Sequence, residues 1–344
     1  MAHPVFRPVK VADAQSTTRL GSHELISNGA FHLLAAENNE VQLERTKTYW
    51  DDASVALDRV TFVNTANAED ALAAYKAGEI DAVTNAPFEP LALKLLAPYK
   101  DFHRSTFGAL TYYVFNPAHE PFDDVRVREA LAFAIDRERI SRDDLGGATV
   151  PAGKFLPEEM SGEQPVVDKT GMLEHDVNKA RDLLAQAGYP NGEGFPTVKL
   201  LINRNDQQRI VAQSIAAMWH AALNIETEIV IRNWDEYEAA IKAGDYDIVR
   251  RGMVMQSTSE IVNLAMLFER DPRPLPSASP EASPSPQPTV PVETETQALK
   301  DLKAVPIYFA SSYSLVKPYV SGFDSNVLDV PSLKKTRMTT NWTP

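Results

Sequence analysis

The stretch Asn233–Val249 reads NWDEYEAAIKAGDYDIV, and an earlier stretch, Asn67–Val83, reads NAEDALAAYKAGEIDAV. Each begins with an Asn that can cap a helix and has an acid three residues on, which is the pattern of a capping box. Apolar residues then recur with i, i+3, i+4 spacing, which buries one face of a helix. Gly78 and Gly244 stand where each helix is expected to end in the left-handed conformation. The two stretches therefore predict two similar helices far apart in the chain.

A strand-like run precedes each predicted helix, at Arg59–Val63 and Ile225–Ile231. An Asp followed by apolar residues leads out of each helix and indicates a turn into another strand. Two strand–helix–strand units predict an α/β protein with two lobes. The gap between two lobes is a common place for a ligand-binding site.

Composition excludes several classes of protein. The chain has 344 residues, enough for two domains with separate cores, and a formal net charge of −13. No cluster of Lys and Arg stands out, so binding to nucleic acid or to an anionic membrane surface is not expected. The absence of cysteine excludes disulfides, thiol catalysis and cysteine-based zinc sites.

The chain shows no membrane-insertion signal. No apolar run approaches the roughly 20 residues that span a bilayer. Residues 1–27 have no apolar core of the kind that signal peptides contain, and we expect them to form an irregular lead-in. The stretch Asp271–Pro291 is rich in proline and serine, so residues 271–296 are predicted to be an extended linker.

Four stretches, in this order along the chain, resemble the family 5 extracytoplasmic solute-binding proteins. Members of that family bind oligopeptides, dipeptides or nickel for ABC importers. The resemblance covers roughly residues 28–255 and the C-terminal strand region. The matching stretches are NGAF…VQLERTKTYWD (Asn28–Asp51), YYVFNPAHEPFDDVRVREALAFAIDRERI (Tyr112–Ile140), LLAQAGYPNGEGFPTVKLLI (Leu183–Ile202) and WDEYEAAIKAGDYDIVRRG (Trp234–Gly252).

The resemblance implies an α/β fold of the two-lobed, periplasmic-binding-protein kind, type II and of the peptide-binding subclass. Because the chain begins close to the first matching stretch, part of the first lobe is expected to be missing, as in a member truncated at the N-terminus. The predicted domains are residues 28–115 with 305–344 for the remainder of lobe I, and 116–270 for the second lobe.

The resemblance also implies a set of ligand-binding residues. Trp234 corresponds to an aromatic that lines the cavity, and Arg250 to an arginine that can bind a ligand carboxylate. Gly252 and Met253 lie on the strand whose backbone can pair with an extended peptide. Gln256 stands where many peptide-binding members have an Asp for the ligand α-ammonium, and neutral Gln cannot offer that ion pair.

Each of these assignments has a structural alternative. Trp234 can instead be a core aromatic at the start of its helix, and Arg250 can form a surface salt bridge. Tyr112, Tyr113 and Asn116 lie where the chain is expected to cross between lobes. They can contact ligand or simply pack at the crossing.

The expected function is that of a substrate-binding subunit of a peptide-type ABC importer, which captures oligopeptides or a similar small solute by lobe closure. The expected partners are the solute and the ABC permease subunits, and the expected location is periplasmic or extracytoplasmic. No hydrolase, nucleotide or dinucleotide motif appears and the histidines show no paired metal spacing, so we expect neither enzymatic activity nor a cofactor or metal. The alternative is a truncated or degenerate paralogue that acts as an interaction module, or a remnant without transport activity.

Overall fold

The computed structural model describes residues 28–37, 39–84, 88, 90–160, 172–256, 260–268, 294–323, 326–328 and 332–339. The lead-in predicted over residues 1–27 lies outside the described residues, and so does the predicted linker as far as residue 293. A helix begins at Glu295, which corrects the linker prediction at its last two residues.

The chain divides into two compact units. Unit 1 comprises Met1–Phe107 and Ser311–Pro344, and unit 2 comprises Gly108–Ala310. Both divisions fall inside long strands. The domain limits predicted from the sequence stay a prediction.

The described residues form twelve strands. They are β1 (Phe31–Glu37), β2 (Glu40–Arg45), β3 (Arg59–Val63), β4 (Ala82–Thr84), β5 (Phe102–Phe115), β6 (Thr149–Pro151), β7 (Val198–Asn203), β8 (Thr227–Arg232), β9 (Ile248–Val254), β10 (Ala304–Val316), β11 (Val320–Ser321) and β12 (Arg337–Met338).

Nine α-helices lie within the same described ranges. They are α1 (Ala68–Ala77), α2 (Pro90–Leu96), α3 (Val125–Phe133), α4 (Arg137–Arg139), α5 (Val177–Gln186), α6 (Asp206–Leu223), α7 (Trp234–Ala243), α8 (Glu260–Phe268) and α9 (Glu295–Asp301). None of the helices in the described ranges is long and apolar enough to cross a membrane.

Unit 1 contains an antiparallel sheet in the order β1, β2, β3. The sequence from Asn28 to Arg45 predicts two antiparallel strands about a polar turn, and β1 and β2 confirm them. Strand β4 pairs instead with the end of β10, where Val83 lies opposite Leu315. Helix α1 packs Ala71 and Tyr75 against these two residues to form a small core.

The first repeat contains the predicted strand, helix and second strand, as β3, α1 and β4. Asn67 caps α1 by accepting a hydrogen bond from the Asp70 backbone N–H, and Gly78 ends it with φ of 77°. The two strands belong to different sheets, since β3 pairs with β2 and β4 pairs with β10. The sequence prediction did not specify these partners, because they depend on the tertiary structure.

Unit 2 contains a sheet in which β10, β5, β9, β7 and β8 follow one another, with β6 beside β10. Strand β7 is parallel to both β8 and β9, whereas β5 is antiparallel to β9. One face packs against α7, where Leu201, Tyr237 and Val249 are buried together. This unit is thus an α/β sheet, and its parallel strands end on one common edge.

The second repeat is confirmed in full. Asn233 and Glu236 form a reciprocal capping box, and Gly244 ends α7 with φ of 71°. The strands on either side of α7, β8 and β9, belong to one sheet and flank β7.

The sequence predicts a helix over Arg126–Ile140 whose first arginines pair with the acids before it. This helix is broken in the structure. Helix α3 ends at Phe133, and a new turn, α4, begins after Asp136, whose side chain accepts a hydrogen bond from the Arg139 N–H. The guanidinium of Arg137 donates to the carbonyls of Ala132 and Ile135, at 3.2 Å each, and so binds the backbone groups that the break releases.

Two arginines beside α3 behave differently, although the sequence predicted that both pair with acids at the helix start. Arg126 does pair with Asp124, at 2.6 Å. Arg128 is only 8% exposed and donates to backbone carbonyls instead, from Phe122 and Asp123 on one side and from Asp301 and Leu302 on the other. It therefore joins α3 to the segment between α9 and β10.

Candidate ligand-binding site

Strand β9 carries the predicted arginine on one face of the unit 2 sheet. Side chains alternate along a strand, so Arg250 and Gly252 project to the same face. In the register with β5, Tyr113 lies opposite Arg250 and Thr111 lies opposite Gly252. Directly opposed residues share a face of the sheet. These four residues therefore form one patch on β5 and β9.

The neighbouring predicted residues project to the opposite face. Tyr112 lies opposite Arg251, and both Tyr112 and Met253 are 4% exposed. Arg251 forms an ion pair with Glu238 of α7, at 3.2 Å. The packing alternative for Tyr112 is thereby favoured, because its side chain is buried on the face away from Arg250.

The half-buried guanidinium of Arg250 is held only loosely by protein atoms. Nη1 lies 3.5 Å from Asn203 Oδ1, and Nη2 lies 3.3 Å from Thr111 Oγ1. Nε is buried and has no hydrogen-bond partner within the described part of the chain. No carboxylate in the described part of the chain forms an ion pair with Arg250, so the salt-bridge alternative finds no support. The group keeps its capacity to bind an anion.

The backbone at Arg250 is linked to the aromatic pair on α7. The Tyr237 hydroxyl donates to the Arg250 carbonyl. The ring of Trp234 lies 5.7 Å from that of Tyr237, centroid to centroid. Trp234 is 61% exposed, so it is not the core aromatic that the alternative supposed. Its indole is accessible to solvent.

Gly252 provides space for the Arg250 guanidinium. An added Cβ at Gly252 would lie 3.0 Å from Arg250 Nη2, closer than ordinary van der Waals contact. The backbone of Gly252 does not have positive φ, so the conformation itself does not require glycine. The absence of a side chain is what allows the guanidinium to lie over this residue.

We therefore expect Gly252→Ala to weaken ligand binding while leaving stability nearly unchanged. The new methyl group would displace the guanidinium, which is the flexible end of its side chain, so little strain remains in the fold. A lost hydrogen bond between charged groups costs about 1.5–3 kcal/mol, or about tenfold or more in affinity. Calorimetric titration of a bound peptide, with urea unfolding alongside, measures both effects. An unchanged affinity would show that the position of the guanidinium does not matter for binding.

Asn116 lies at the other end of β9. Its backbone N–H donates to the Asp247 carbonyl at 2.8 Å, and its side-chain amide donates to the carbonyls of Gly244 and Tyr246 at 3.2 and 3.0 Å. Arg250 lies three residues after Asp247, which is roughly 10 Å along an extended strand at about 3.3 Å per residue. Asn116 thus secures the turn before β9, which favours its packing alternative.

Gln256 lies two residues beyond the end of β9 and is exposed. Its backbone N–H donates to the Oδ1 of buried Asn263 on α8, at 3.3 Å. Gln256 carries no charge, so this position provides no acid for a cation.

The sequence interpretation did not include Asn203 near the arginine, and it did not distinguish Tyr113 from Tyr112. Asn203, at the end of β7, touches the guanidinium. Tyr113 is 1% exposed, and burial raises the pKa of its hydroxyl well above the ordinary value. The position of Asn203 directly after a buried strand could have indicated it. Nothing local distinguishes Tyr113 from Tyr112.

The arrangement can bind an anion but shows no metal centre. No group of three or more His, Asp or Glu side chains in the described ranges is placed to hold a metal ion. The cation of Arg250 and the exposed Gly252 lie on one face of the sheet and suit a ligand carboxylate. The accessible indole of Trp234 lies on α7, which packs against the other face.

The comparison with family models gives one match. The model for bacterial extracellular solute-binding proteins, family 5, matches residues 1–272. The chain therefore belongs to the family 5 bacterial extracellular solute-binding proteins, as the sequence predicted.

Curated relatives agree with this assignment. The chain is 27% identical over 343 residues to the periplasmic oligopeptide-binding protein OppA of Escherichia coli strain K12. It is 29% identical over 346 residues to the periplasmic murein peptide-binding protein MppA of the same strain. Each alignment covers 94% of this chain and 63% of the relative, so the chain spans about 63% of the length of either relative.

A solved structure supports the fold. The unliganded, open form of the murein tripeptide-binding protein MppA matches with a TM-score of 0.78 and 25% identity, over 96% of this chain and 67% of that one. The predicted fold class, α/β of the periplasmic-binding-protein kind, is confirmed.

Proposed function

We propose that this chain acts as the substrate-binding subunit of a peptide-type ABC importer and captures oligopeptides or a similar small solute by lobe closure. Family membership supports a solute-binding role. The observation that carries the proposal is the half-buried Arg250, a cation that forms no ion pair with any described carboxylate. Its place beside Asn203, the last residue of β7, suits a ligand site, because α/β sheets bind ligands at the carboxyl ends of their parallel strands.

The proposed ligand contact is a carboxylate on Arg250. A guanidinium can bind both carboxylate oxygens in one plane, which is stronger and more specific than a single neutral hydrogen bond. Gly252 and Met253 supply main-chain groups on the same strand for an extended peptide, and Trp234 supplies an apolar wall. Recognition through main-chain groups tolerates different side chains.

The proposed selectivity follows from Gln256. A neutral side chain there cannot pair with an α-ammonium, and hydrogen bonds to charged groups contribute about 1.5–3 kcal/mol, more than neutral ones. The carboxylate end of a peptide is therefore proposed to contribute more to affinity than its amino end. Tyr112 and Asn116 are proposed to support the strands and not to contact ligand.

The remaining partners follow from the family. We propose that the ABC permease subunits recognise the ligand-bound form and that the protein is located in the periplasm or another extracytoplasmic space. The names of the relatives and the family description support this location. The proposed role is binding and release without a chemical step, a cofactor or a nucleic-acid partner.

A thermal-shift screen tests the proposal. A ligand at a hundred times its Kd stabilises the folded state by about 2.7 kcal/mol, so a bound peptide should raise the Tm by several degrees. A diverse pool of di- to pentapeptides, followed by single peptides, is the appropriate set of ligands. The proposal fails if neither any peptide nor nickel shifts the transition.

The alternative, an interaction module or a remnant without transport activity, receives no support from the comparisons, since the relatives reported above are named as binding proteins. Size-exclusion chromatography distinguishes the two. A monomer that binds peptide supports the proposed role, whereas a self-associating chain that binds none supports the alternative.

A further inference from the structure

Among the residues that the structure describes, three buried polar atoms without hydrogen-bond partners belong to β9, β5 and the start of α6. They are Nε of Arg250, the hydroxyl of Tyr113 and Oε1 of Gln208. Tyr113 is 1% exposed and Gln208 is 6% exposed. Buried polar groups are almost always paired with protein or with ordered water, so such atoms require an explanation.

These residues are neighbours in space. Tyr113 lies directly opposite Arg250 in the register of β5 and β9. The amide nitrogen of Gln208 donates to the Tyr308 hydroxyl at 2.9 Å. Gln208 lies in the first turn of α6, which follows β7, whereas Tyr308 lies on β10. Since β5 and β9 lie between β10 and β7 in the sheet, the Gln208–Tyr308 hydrogen bond spans the two strands that carry Tyr113 and Arg250.

The chemistry of the three atoms identifies a water molecule as their common partner. Arg250 Nε–H can only donate, Gln208 Oε1 can only accept, and the Tyr113 hydroxyl can do either. Water accepts and donates, and a buried water typically has about three such partners. An anion would be repelled by Oε1 of Gln208, and a cation would be repelled by Arg250.

We propose that Tyr113 and Gln208 hold an ordered water molecule that accepts a hydrogen bond from Arg250 Nε–H, and that Tyr113 thereby acts as a positioning residue for the guanidinium. With Nε fixed, rotation of the guanidinium plane is restricted. Nη1 and Nη2, whose bonds to Asn203 and Thr111 are long, are then available to a ligand carboxylate. This last consequence rests on the proposed function, whereas the water site does not.

A high-resolution crystal structure without added ligand tests the water site. The expected result is density for one water within hydrogen-bond distance of Arg250 Nε, Tyr113 Oη and Gln208 Oε1. Direct hydrogen bonds among those three atoms, or bonds from them to other protein atoms with no water between, would overturn the proposal.

Solution NMR tests the same claim on variants. The Arg250 Nε–H signal is assigned by its loss in Arg250→Lys, and it is expected to exchange slowly with solvent. Tyr113→Phe should speed that exchange by about two- to tenfold, the effect of one hydrogen bond. Gln208→Met, which keeps the length of the side chain, should act in the same direction.

Tyr75→Phe in unit 1 is the control, because it removes a buried hydroxyl that bonds Asp101. Unchanged exchange in both Tyr113→Phe and Gln208→Met would contradict the proposal.

Titration with trialanine and trialanine amide measures the effect on ligand. If the wild-type protein prefers the free acid, Tyr113→Phe should reduce the preference by about two- to tenfold, with little change in affinity for the amide. An equal loss for both peptides would indicate a general structural role and reject the positioning role. Failure of the wild type to bind either peptide counts against the proposed function, and the exchange measurement then still decides the water site.

Discussion

Replacing Arg250 by alanine is expected to weaken the binding of a peptide with a free carboxylate by at least about 30-fold. Truncating one partner of a buried charge pair costs about 2 kcal/mol or more, much of it because the other charge is left without a partner. Arg250 is the half-buried cation of the candidate site, and no described acid competes for it. Calorimetric titration with the tightest-binding peptide of the screen measures the loss.

The adjacent arginine is the matched control. Arg251 differs from Arg250 by one position, projects to the opposite face of β9 and is paired with Glu238 at 3.2 Å. Arg251→Ala removes the same charge from the chain, so it tests whether a change in net charge alone affects binding. We expect near wild-type affinity for this variant. Equal losses in the two variants would indicate general electrostatic attraction in place of a specific contact.

The second large effect is expected on stability, from Arg128→Ala. The Arg128 guanidinium is buried and satisfies carbonyls on both sides, those of Phe122 and Asp123 and those of Asp301 and Leu302. An unsatisfied buried acceptor costs about 1–3 kcal/mol, so the free energy of unfolding should fall by about 3 kcal/mol or more. Leu302 adds to this dependence, because its φ of 42° is strained for a leucine and its carbonyl bonds Arg128.

Arg126→Ala is the control for this prediction. Arg126 lies two residues away on the same helix, but it is exposed and pairs with Asp124 at 2.6 Å. Exposed ion pairs contribute little to stability. Urea unfolding should give a lower midpoint for Arg128→Ala and almost no change for Arg126→Ala. Similar midpoints for the two variants would show that the carbonyl contacts of Arg128 do not hold the fold together.

Local signals in the sequence predicted local structure well. The caps at Asn67 and Asn233 and the terminal glycines of both helices depend on residues within one or two turns, and the structure contains all of them. Pairing of β3 with β2 could not be predicted in this way, because it depends on a partner chosen by the whole sheet. The break after Phe133 was missed for a similar reason, since Arg137 also bonds the distant Pro306 carbonyl, at 2.8 Å.

The candidate site was predictable only in part. Family resemblance identified Arg250 and Gly252, which share one face of the sheet, and Trp234, whose helix packs against the other face. The sequence alone could not distinguish Tyr112 from Tyr113, because strand alternation assigns faces only when the register with β9 is known. Gln208 was missed because its hydrogen-bond partner, Tyr308, lies 100 residues further along the chain.

The central claim is that Arg250 binds a ligand carboxylate, and one thermodynamic cycle tests it most directly. The free acid and the C-terminal amide of the same peptide are titrated into wild-type protein and into Arg250→Ala. We predict that amidation weakens binding to the wild type by at least about 30-fold and leaves binding to the variant nearly unchanged, a coupling of about 2 kcal/mol. Equal affinity of the wild type for acid and amide would contradict the claim.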